Sequence, residues 1–81
     1  MSTRDEVRNY ILSVHLPGEN PDVLSDDDDL LEMGILDSMA IMQLVGHLES
    51  HYNISVPTEE IDPRNFESIN SLTAFIERQR G

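Results

Sequence analysis

Residues 36–49, LDSMAIMQLVGHLE, carry the clearest helix signal in the chain. Asp37 is a good N-cap, and Leu36 and Ile41 stand at the two positions of a hydrophobic staple. The apolar residues recur with helical spacing, and the stripe expected to face the core is Met39, Met42, Val45 and Leu48, widened by Ile41 and Leu44. We therefore predict a helix that begins at Ser38 and ends near Asn53, a residue that tolerates the left-handed conformation.

Helical patterns also occupy both ends of the chain. Near the start, Thr3 and Glu6 have the spacing of a capping box, and Pro17-Gly18 stops the helix. The apolar stripe of this helix is Val7, Tyr10, Ile11 and Val14. Near the end, Asp62-Pro63 opens a short helix anchored by Phe66. Ser68 caps the last helix, whose apolar face is Ile69, Leu72, Phe75 and Ile76 and whose final turn holds Arg78 and Arg80.

These signals predict an all-α fold, a four-helix bundle with three longer helices, one short third helix and a long first loop. With 81 residues, the chain is expected to form a single domain over residues 1–81. The loop runs from about His15 to Leu36 and contains four aspartates, Asp26–Asp29. A calcium-binding EF-hand needs a glycine at its sixth position, where Leu31 stands if the count starts at Asp26. We therefore expect solvated acids here.

The composition excludes several classes of protein. The absence of cysteine excludes disulfides and thiolate metal sites, and no apolar run has membrane-spanning length. Five basic and sixteen acidic side chains give a net charge of −11, and residues 9–63 hold twelve of the acids and no lysine or arginine. This balance argues against nucleic-acid binding and membrane insertion and favours partners with basic surfaces. A cytoplasmic protein is expected.

The candidate for chemistry is Ser38, which follows a loop and stands at the start of the predicted helix beside Asp37. The N–H groups and the positive dipole end of a helix N-terminus favour an attached phosphate. An external enzyme can also reach a serine in such a position. The residues alone leave a second interpretation open, because serine is common at helix starts.

The chain resembles the acyl carrier and peptidyl carrier protein family, in which an Asp-Ser-Leu or Asp-Ser-Met triplet opens the second helix. The resemblance extends to Leu48-Glu49, to residues 54–57 (ISVP) and to residues 66–69 (FESI). Residues 35–38 (ILDS) and 56–62 (VPTEEID) are most similar to stand-alone aminoacyl carriers of the D-alanyl carrier type. The resemblance implies an acyl-carrier-like four-helix fold, with 4′-phosphopantetheine from coenzyme A attached to Ser38.

The resemblance also implies how such a protein works. It is not an enzyme but a monomeric carrier that presents an acyl or aminoacyl thioester to biosynthetic enzymes. Its expected partners are a phosphopantetheinyl transferase with Mg²⁺, an adenylating ligase or acyltransferase that loads the arm, and a downstream synthase or transferase. Polyketide, nonribosomal peptide, antibiotic and cell-envelope alanylation pathways all remain open, as does the cargo. The alternative function is a small acidic protein-interaction module without a prosthetic group.

Partner docking is expected around the serine, through Asp37, Met39, Ile41, Met42 and Glu49. Glu49 is the single acid that the second helix offers, whereas carriers of fatty-acid synthesis usually place several there, so we expect docking of a more apolar kind. Met39 is expected to be partly buried beside Ser38. His47 and His51 are four residues apart on one helix, but no third ligand accompanies them, so we expect no metal site.

Overall fold

The computed structural model describes residues 2–80, with the backbone alone for Pro21, and is helical throughout. The helices are α1 (Thr3–His15), α2 (Ser38–Tyr52), α3 (Pro63–Phe66) and α4 (Ile69–Arg80), with single 3₁₀ turns at Pro21–Val23 and Thr58–Glu60. Within residues 2–80 there is no strand, which confirms the predicted all-α fold with one short third helix. None of the helices described is long and apolar enough to span a bilayer.

The capping residues explain where the helices begin and end. Ser2 rather than Thr3 is the N-cap of α1, because its hydroxyl accepts a hydrogen bond from the N–H of Asp5 at 3.2 Å. The N-cap therefore lies one residue before the predicted Thr3. At the end of α2, Asn53 has a φ of 54°, as predicted from its tolerance of the left-handed region. Ser68 caps α4 as predicted, and its hydroxyl accepts from the N–H of Ser71 at 3.0 Å.

A single apolar core joins the helices. The backbones of α1 and α4 pack closely, as do those of α3 and α4, whereas α2 joins the core through its side chains. Fifteen hydrophobic residues are buried: Val7, Ile11, Leu12, Leu24, Leu30, Leu36, Ala40, Leu44, Val45, Leu48, Phe66, Ile69, Leu72, Phe75 and Ile76. Phe66 and Phe75 lie at its centre with ring centroids 5.5 Å apart.

The predicted core stripe of α2 was partly wrong. Ala40, Leu44 and Leu48, spaced four residues apart, point into the core together with Val45. Met39 and Met42 are instead exposed, at 72% and 56% of their surface. A helix advances about 100° per residue, so side chains at positions 39 and 42 leave the side on which positions 40, 44 and 48 lie. The apolar character of methionine gave no indication of this.

The loop between α1 and α2 is held in place by three buried leucines. Leu24, Leu30 and Leu36 have at most 2% of their surface exposed. The backbone N–H of Leu30 also donates to the carbonyl of Glu67, at 2.6 Å, just before α4. The loop is therefore part of the packed domain, because its leucines are buried in the core.

The aspartates of this loop are exposed or half-buried, as expected of solvated acids, and they also bind groups of the protein itself. Asp26 forms ion pairs with Arg4 and Arg8 of α1. The Asp27 carboxylate accepts a hydrogen bond from Asn70 of α4. The carboxylates of Asp28 and Asp29 accept hydrogen bonds from backbone N–H groups within the loop. The acidic run therefore ties the loop to α1 and α4 and shapes its turns.

Candidate functional site

Ser38 is exposed and is the first residue of α2. Its neighbour Asp37 is the N-cap, and the Asp37 carboxylate accepts a hydrogen bond from the N–H of Ala40 at 2.8 Å. The Asp37 carbonyl accepts from the N–H of Ile41 at 2.9 Å. Within residues 2–80, no residue forms a hydrogen bond with the Ser38 hydroxyl. Asp37 thus performs the capping, and the hydroxyl of Ser38 is left available.

A turn in the loop sets the direction from which the chain enters α2. The Asp29 carboxylate accepts from the N–H groups of Leu31 and Glu32, both at 3.0 Å. Gly34 follows with a φ of 77°, which glycine adopts without strain. The buried side chain of Leu36 then fixes the chain immediately before Asp37. Ser38 is therefore positioned by anchored residues although it is itself exposed.

A groove of about 220 Å³ lies beside Ser38. Ser38, Ile41 and Met42 line it from α2, and Ile61, Asp62 and Pro63 line it from the segment that enters α3. The sequence had marked Asp62 and Pro63 only as a helix start. Nothing in the local pattern showed that this segment lies against the beginning of α2, because that proximity arises from tertiary packing.

The acid in this groove is held as an anion. Arg64 donates to the carboxylate of Asp62 through Nε at 3.2 Å and through Nη2 at 2.9 Å, and its backbone N–H donates at 2.8 Å. These hydrogen bonds lower the pKa of Asp62 to about 2, and they raise the pKa of Arg64. The carboxylate therefore stays negative at neutral pH, but its charge is neutralised locally by Arg64.

The structure brings some of the predicted docking residues together and separates one. Ile41 is half-buried, whereas Asp37 and Met42 are exposed near Ser38. Met39 is also exposed, which corrects the expectation that it would be partly buried. Eleven residues of α2 separate Ser38 from Glu49, or about 16 Å along the helix axis.

Although Glu49 is exposed, its carboxylate also makes a contact within the fold. Its carboxylate accepts a hydrogen bond from the N–H of Val56 at 3.0 Å, so it ties α2 to the segment that follows the helix. Between Met42 and Glu49 lies Gly46, which is exposed and has nothing within 4 Å of the position that a Cβ would occupy. We call Ser38, Met39, Met42, Gly46 and Glu49 the outer face of α2.

The start of α2 offers a place for a covalent phosphate ester. Within residues 2–80, no group of three or more histidine, aspartate or glutamate side chains is placed to hold a metal ion. The hydroxyl at the N-terminus of α2, the neighbouring N–H groups and the groove fit a phosphodiester with an extended arm. An arm attached there would supply a thiol that carries an acyl group as a thioester.

Comparisons with known proteins agree with this chemistry. Residues 7–76 match the model of the phosphopantetheine attachment site family. The chain is 37% identical over 70 residues to the probable acyl carrier protein PigG of Serratia sp. (strain ATCC 39006), an alignment that covers 86% of this chain and 79% of PigG. It also resembles a chain in the crystal structure of a FAD-dependent dehydrogenase, with a TM-score of 0.75 and 36% identity over 86% of this chain and 97% of that chain.

The predicted likeness to D-alanyl carrier proteins is confirmed as well. The protein of that name from Streptococcus suis (strain 98HAH33) is 41% identical over 50 residues, which are 62% of this chain and 63% of the relative. The match therefore spans just under two thirds of that relative's length. Proteins of this family carry acyl or aminoacyl groups as thioesters on 4′-phosphopantetheine, interact with the enzymes that attach and load the arm, and are generally not catalysts themselves. The chain belongs to the phosphopantetheine-binding family of acyl and aminoacyl carrier proteins.

Proposed function

We propose that Ser38 is the residue of this single carrier domain to which 4′-phosphopantetheine is attached. The observation that supports this most strongly is the division of roles at the start of α2, where Asp37 caps the helix and the exposed Ser38 hydroxyl has no partner within residues 2–80. A serine with no capping role is free for modification.

The attachment step that we propose is a transfer from coenzyme A. The Ser38 oxygen forms a bond to the phosphorus next to the pantetheine, the pyrophosphate bond of coenzyme A breaks, and adenosine 3′,5′-bisphosphate leaves. A base of the transferase takes the serine proton, and Mg²⁺ held by the transferase stabilises the leaving phosphate. The chain contributes the position of the hydroxyl and the N-terminus of α2, whose N–H groups favour the new phosphodiester.

The remaining chemistry is assigned to partner enzymes. The chain itself is not an enzyme on this proposal; an adenylating ligase or an acyltransferase loads the thiol, and a downstream synthase or transferase uses the thioester. The similarity to a chain in the crystal structure of a FAD-dependent dehydrogenase adds that enzyme class to the downstream partners to be tested. We propose that this carrier is a monomer in the cytoplasm, where coenzyme A is available.

We further propose that partners dock on an apolar centre with acidic surroundings. Met39 and Met42 on the outer face of α2 are exposed at 72% and 56%, and Ile41 is half-buried beside them. Asp37, exposed beside Ser38, and Glu49, exposed farther along α2, add negative charge, whereas Asp62 across the groove is paired with Arg64. A partner with apolar side chains framed by basic ones complements this surface.

Two sets of variants test the apolar docking. The double variant Ile41→Ser with Met42→Ser is expected to raise the KM of the transferase for the carrier several-fold, because it removes apolar contact area. Glu49→Gln removes the charge but keeps an acceptor for the Val56 N–H, and it is expected to have the smaller effect. If Glu49→Gln alone weakens loading, docking is electrostatic and the apolar proposal is wrong.

The attachment itself is tested by intact-protein mass after incubation with coenzyme A, Mg²⁺ and a broad-specificity phosphopantetheinyl transferase. We expect a gain of one phosphopantetheine in the native chain and in Ser50→Ala, the control at an exposed serine of the same helix. Ser38→Ala is expected to gain nothing while remaining folded. If the folded native chain gains no mass, the acidic interaction module without a prosthetic group becomes the better interpretation.

A further inference from the structure

A column of stacked rings joins α1 to the side of α2 that borders it. The ring of Tyr10 on α1 stacks on the imidazole of His47, with centroids 4.0 Å apart and planes 14° apart. His47 in turn stacks on His51 one turn later, at 5.3 Å and 13°. His51 then meets the ring of Tyr52 edge-on at 4.6 Å. Two helices are thus connected through two adjacent imidazoles.

Glu6 supplies the negative charge of this cluster. Its Oε1 accepts a hydrogen bond from the Tyr52 hydroxyl at 2.7 Å and lies 3.9 Å from Nε2 of His51. From α4, the guanidinium of Arg80 lies 5.5 Å from the centroid of the Tyr52 ring. Glu77 of α4 is the other charged group that acts on Tyr52.

The column matters for α2 because this helix has fewer close backbone contacts than α1 and α4 have with each other. Beyond the core side chains, α2 is connected to α1 by the stacking of Tyr10 on His47 and by the Tyr52–Glu6 hydrogen bond. Any change that weakens the column acts directly on the helix that begins with Ser38.

We propose that this column is a pH-sensitive connection between α1 and α2, which weakens when both imidazoles become charged. A single charge is accommodated at His51, since that ring faces Glu6 at 3.9 Å. A second charge on His47 lies 5.3 Å from the first, in a half-buried position. The carboxylate that shares its crevice, Glu6, is already engaged by Tyr52 and His51.

The other groups that face the column from α1 do not offset this second charge. Asn9 and Ser13 line the same crevice and are uncharged. His15 meets the far side of Tyr10 edge-on at 6.4 Å, so it can only add positive charge when protonated. One carboxylate therefore shares the crevice with the column, and it faces His51 rather than His47.

The direction of the pH effect follows from His47. Burial, and then the proximity of His51, lower the pKa of His47 below its ordinary value of 6.5. The unfolded chain therefore binds a proton at this residue at a pH where the folded chain does not. The stability of the fold is complete above pH 6.5 and declines as the pH falls through the lowered pKa of His47.

The test compares the full chain with His47→Phe, a ring that stacks but does not titrate. Urea unfolding is measured at pH 7.5 and at pH 5.5. We expect the folded-to-unfolded ratio of the native chain to fall between the two, by at most about tenfold from His47, because pH 5.5 lies about one pH unit below the ordinary pKa of 6.5. In His47→Phe this loss is expected to shrink to a minor part. If that variant does not fold, His47→Gln serves the same purpose, since it also cannot gain a proton.

A matched control is His15→Gln, which removes a histidine of α1 outside the stacked pair. It is expected to retain the pH-dependent loss; a loss that vanishes in His15→Gln but persists in the His47 variants overturns the proposal. Imidazole titration by nuclear magnetic resonance gives a second readout. We expect the midpoint of His47 to be lower in the folded chain than in the urea-unfolded chain, and an equal or higher midpoint contradicts the pH-sensitive connection.

Discussion

The loop between α1 and α2 and the outer face of α2 differ in whether their polar and exposed side chains make contacts within the fold. In the loop, the carboxylates of Asp26–Asp29 are all engaged by arginine, asparagine or backbone groups of the same chain. On the outer face, Met39, Met42 and the Ser38 hydroxyl are exposed. The loop acids make contacts within the fold, and the methionines, which the sequence predicted to face the core, are exposed to solvent. Availability to partners thus depends on which groups the fold leaves unused.

Among the polar contacts, the largest effect on stability is expected from the arginine that links the loop to α1. Arg8 donates to the carbonyl of Leu24 and pairs with Asp26, and its side chain is only 21% exposed. Arg8→Ala should lower the free energy of unfolding by about 1–3 kcal/mol, since it leaves charge-assisted and part-buried partners unpaired. Urea unfolding measures this change.

Arg64→Ala is the matched control for Arg8→Ala. The ion pair of Arg64 with Asp62 is on the surface, with the arginine side chain 85% exposed. Exposed pairs contribute little to stability, so the loss is expected to be much smaller than that of Arg8→Ala. Equal losses in the two variants would show that the loop acids contribute no more to stability than an exposed surface pair does.

The next largest effect on stability is expected at Asp37, which lies between the loop and the outer face of α2. Asp37 caps α2 through the Ala40 N–H, so Asp37→Ala should cost about 1 kcal/mol of stability. Asp37→Asn keeps an acceptor and should cost much less. Thermal unfolding of both variants distinguishes the outcomes. A Ser38→Ala variant that is as destabilised as Asp37→Ala would mean that Ser38 also caps, and its assignment to modification would lose its main support.

Two glycines give opposite expectations in the two regions. Gly46 is helical and exposed with free space where a Cβ would be, so Gly46→Ala should stabilise the fold by about 0.5–1 kcal/mol. Gly34 has a φ of 77°, so Gly34→Ala should destabilise it by about 1 kcal/mol. Thermal unfolding of the pair checks both signs together. Destabilisation by Gly46→Ala would reveal a contact on the outer face that the structure does not show.

The smallest effect is expected on the outer face itself. Met39 is 72% exposed, so Met39→Ser should change stability by no more than about 0.5 kcal/mol. Leu44→Ala, at a core position of the same helix, should cost about 2–5 kcal/mol. Urea unfolding of this pair measures the difference between the two sides of α2. A loss of stability in Met39→Ser close to that in Leu44→Ala would mean that Met39 packs in the core.

Local sequence signals predicted the helices well because caps and breakers act on neighbouring residues. Asp37, Asn53 and Ser68 mark the boundaries of α2 and α4 in the structure as they do in the sequence. The serine that we propose as the attachment site was also indicated by the sequence, through its triplet and the architecture around it. The family resemblance contributed the cofactor, which no spacing of residues reveals.

Features that depend on long-range packing could not be predicted in the same way. The partners of Asp26 are Arg4 and Arg8, which are about twenty residues away along the chain and meet it only when the loop folds back on α1. The groove wall formed by Ile61 has the same origin. The core side of α2 was misjudged because methionine has the same hydrophobic pattern whether it packs inside or covers a surface.

The most direct test of the central claim is to locate the modification along the chain. After reaction with coenzyme A, Mg²⁺ and a phosphopantetheinyl transferase, the folded protein is digested and the fragments are sequenced by tandem mass spectrometry. We expect one phosphopantetheine, on Ser38, and none on Ser50 of the same helix. An arm found on any other residue, or a folded protein that remains unmodified, would contradict the assignment of Ser38.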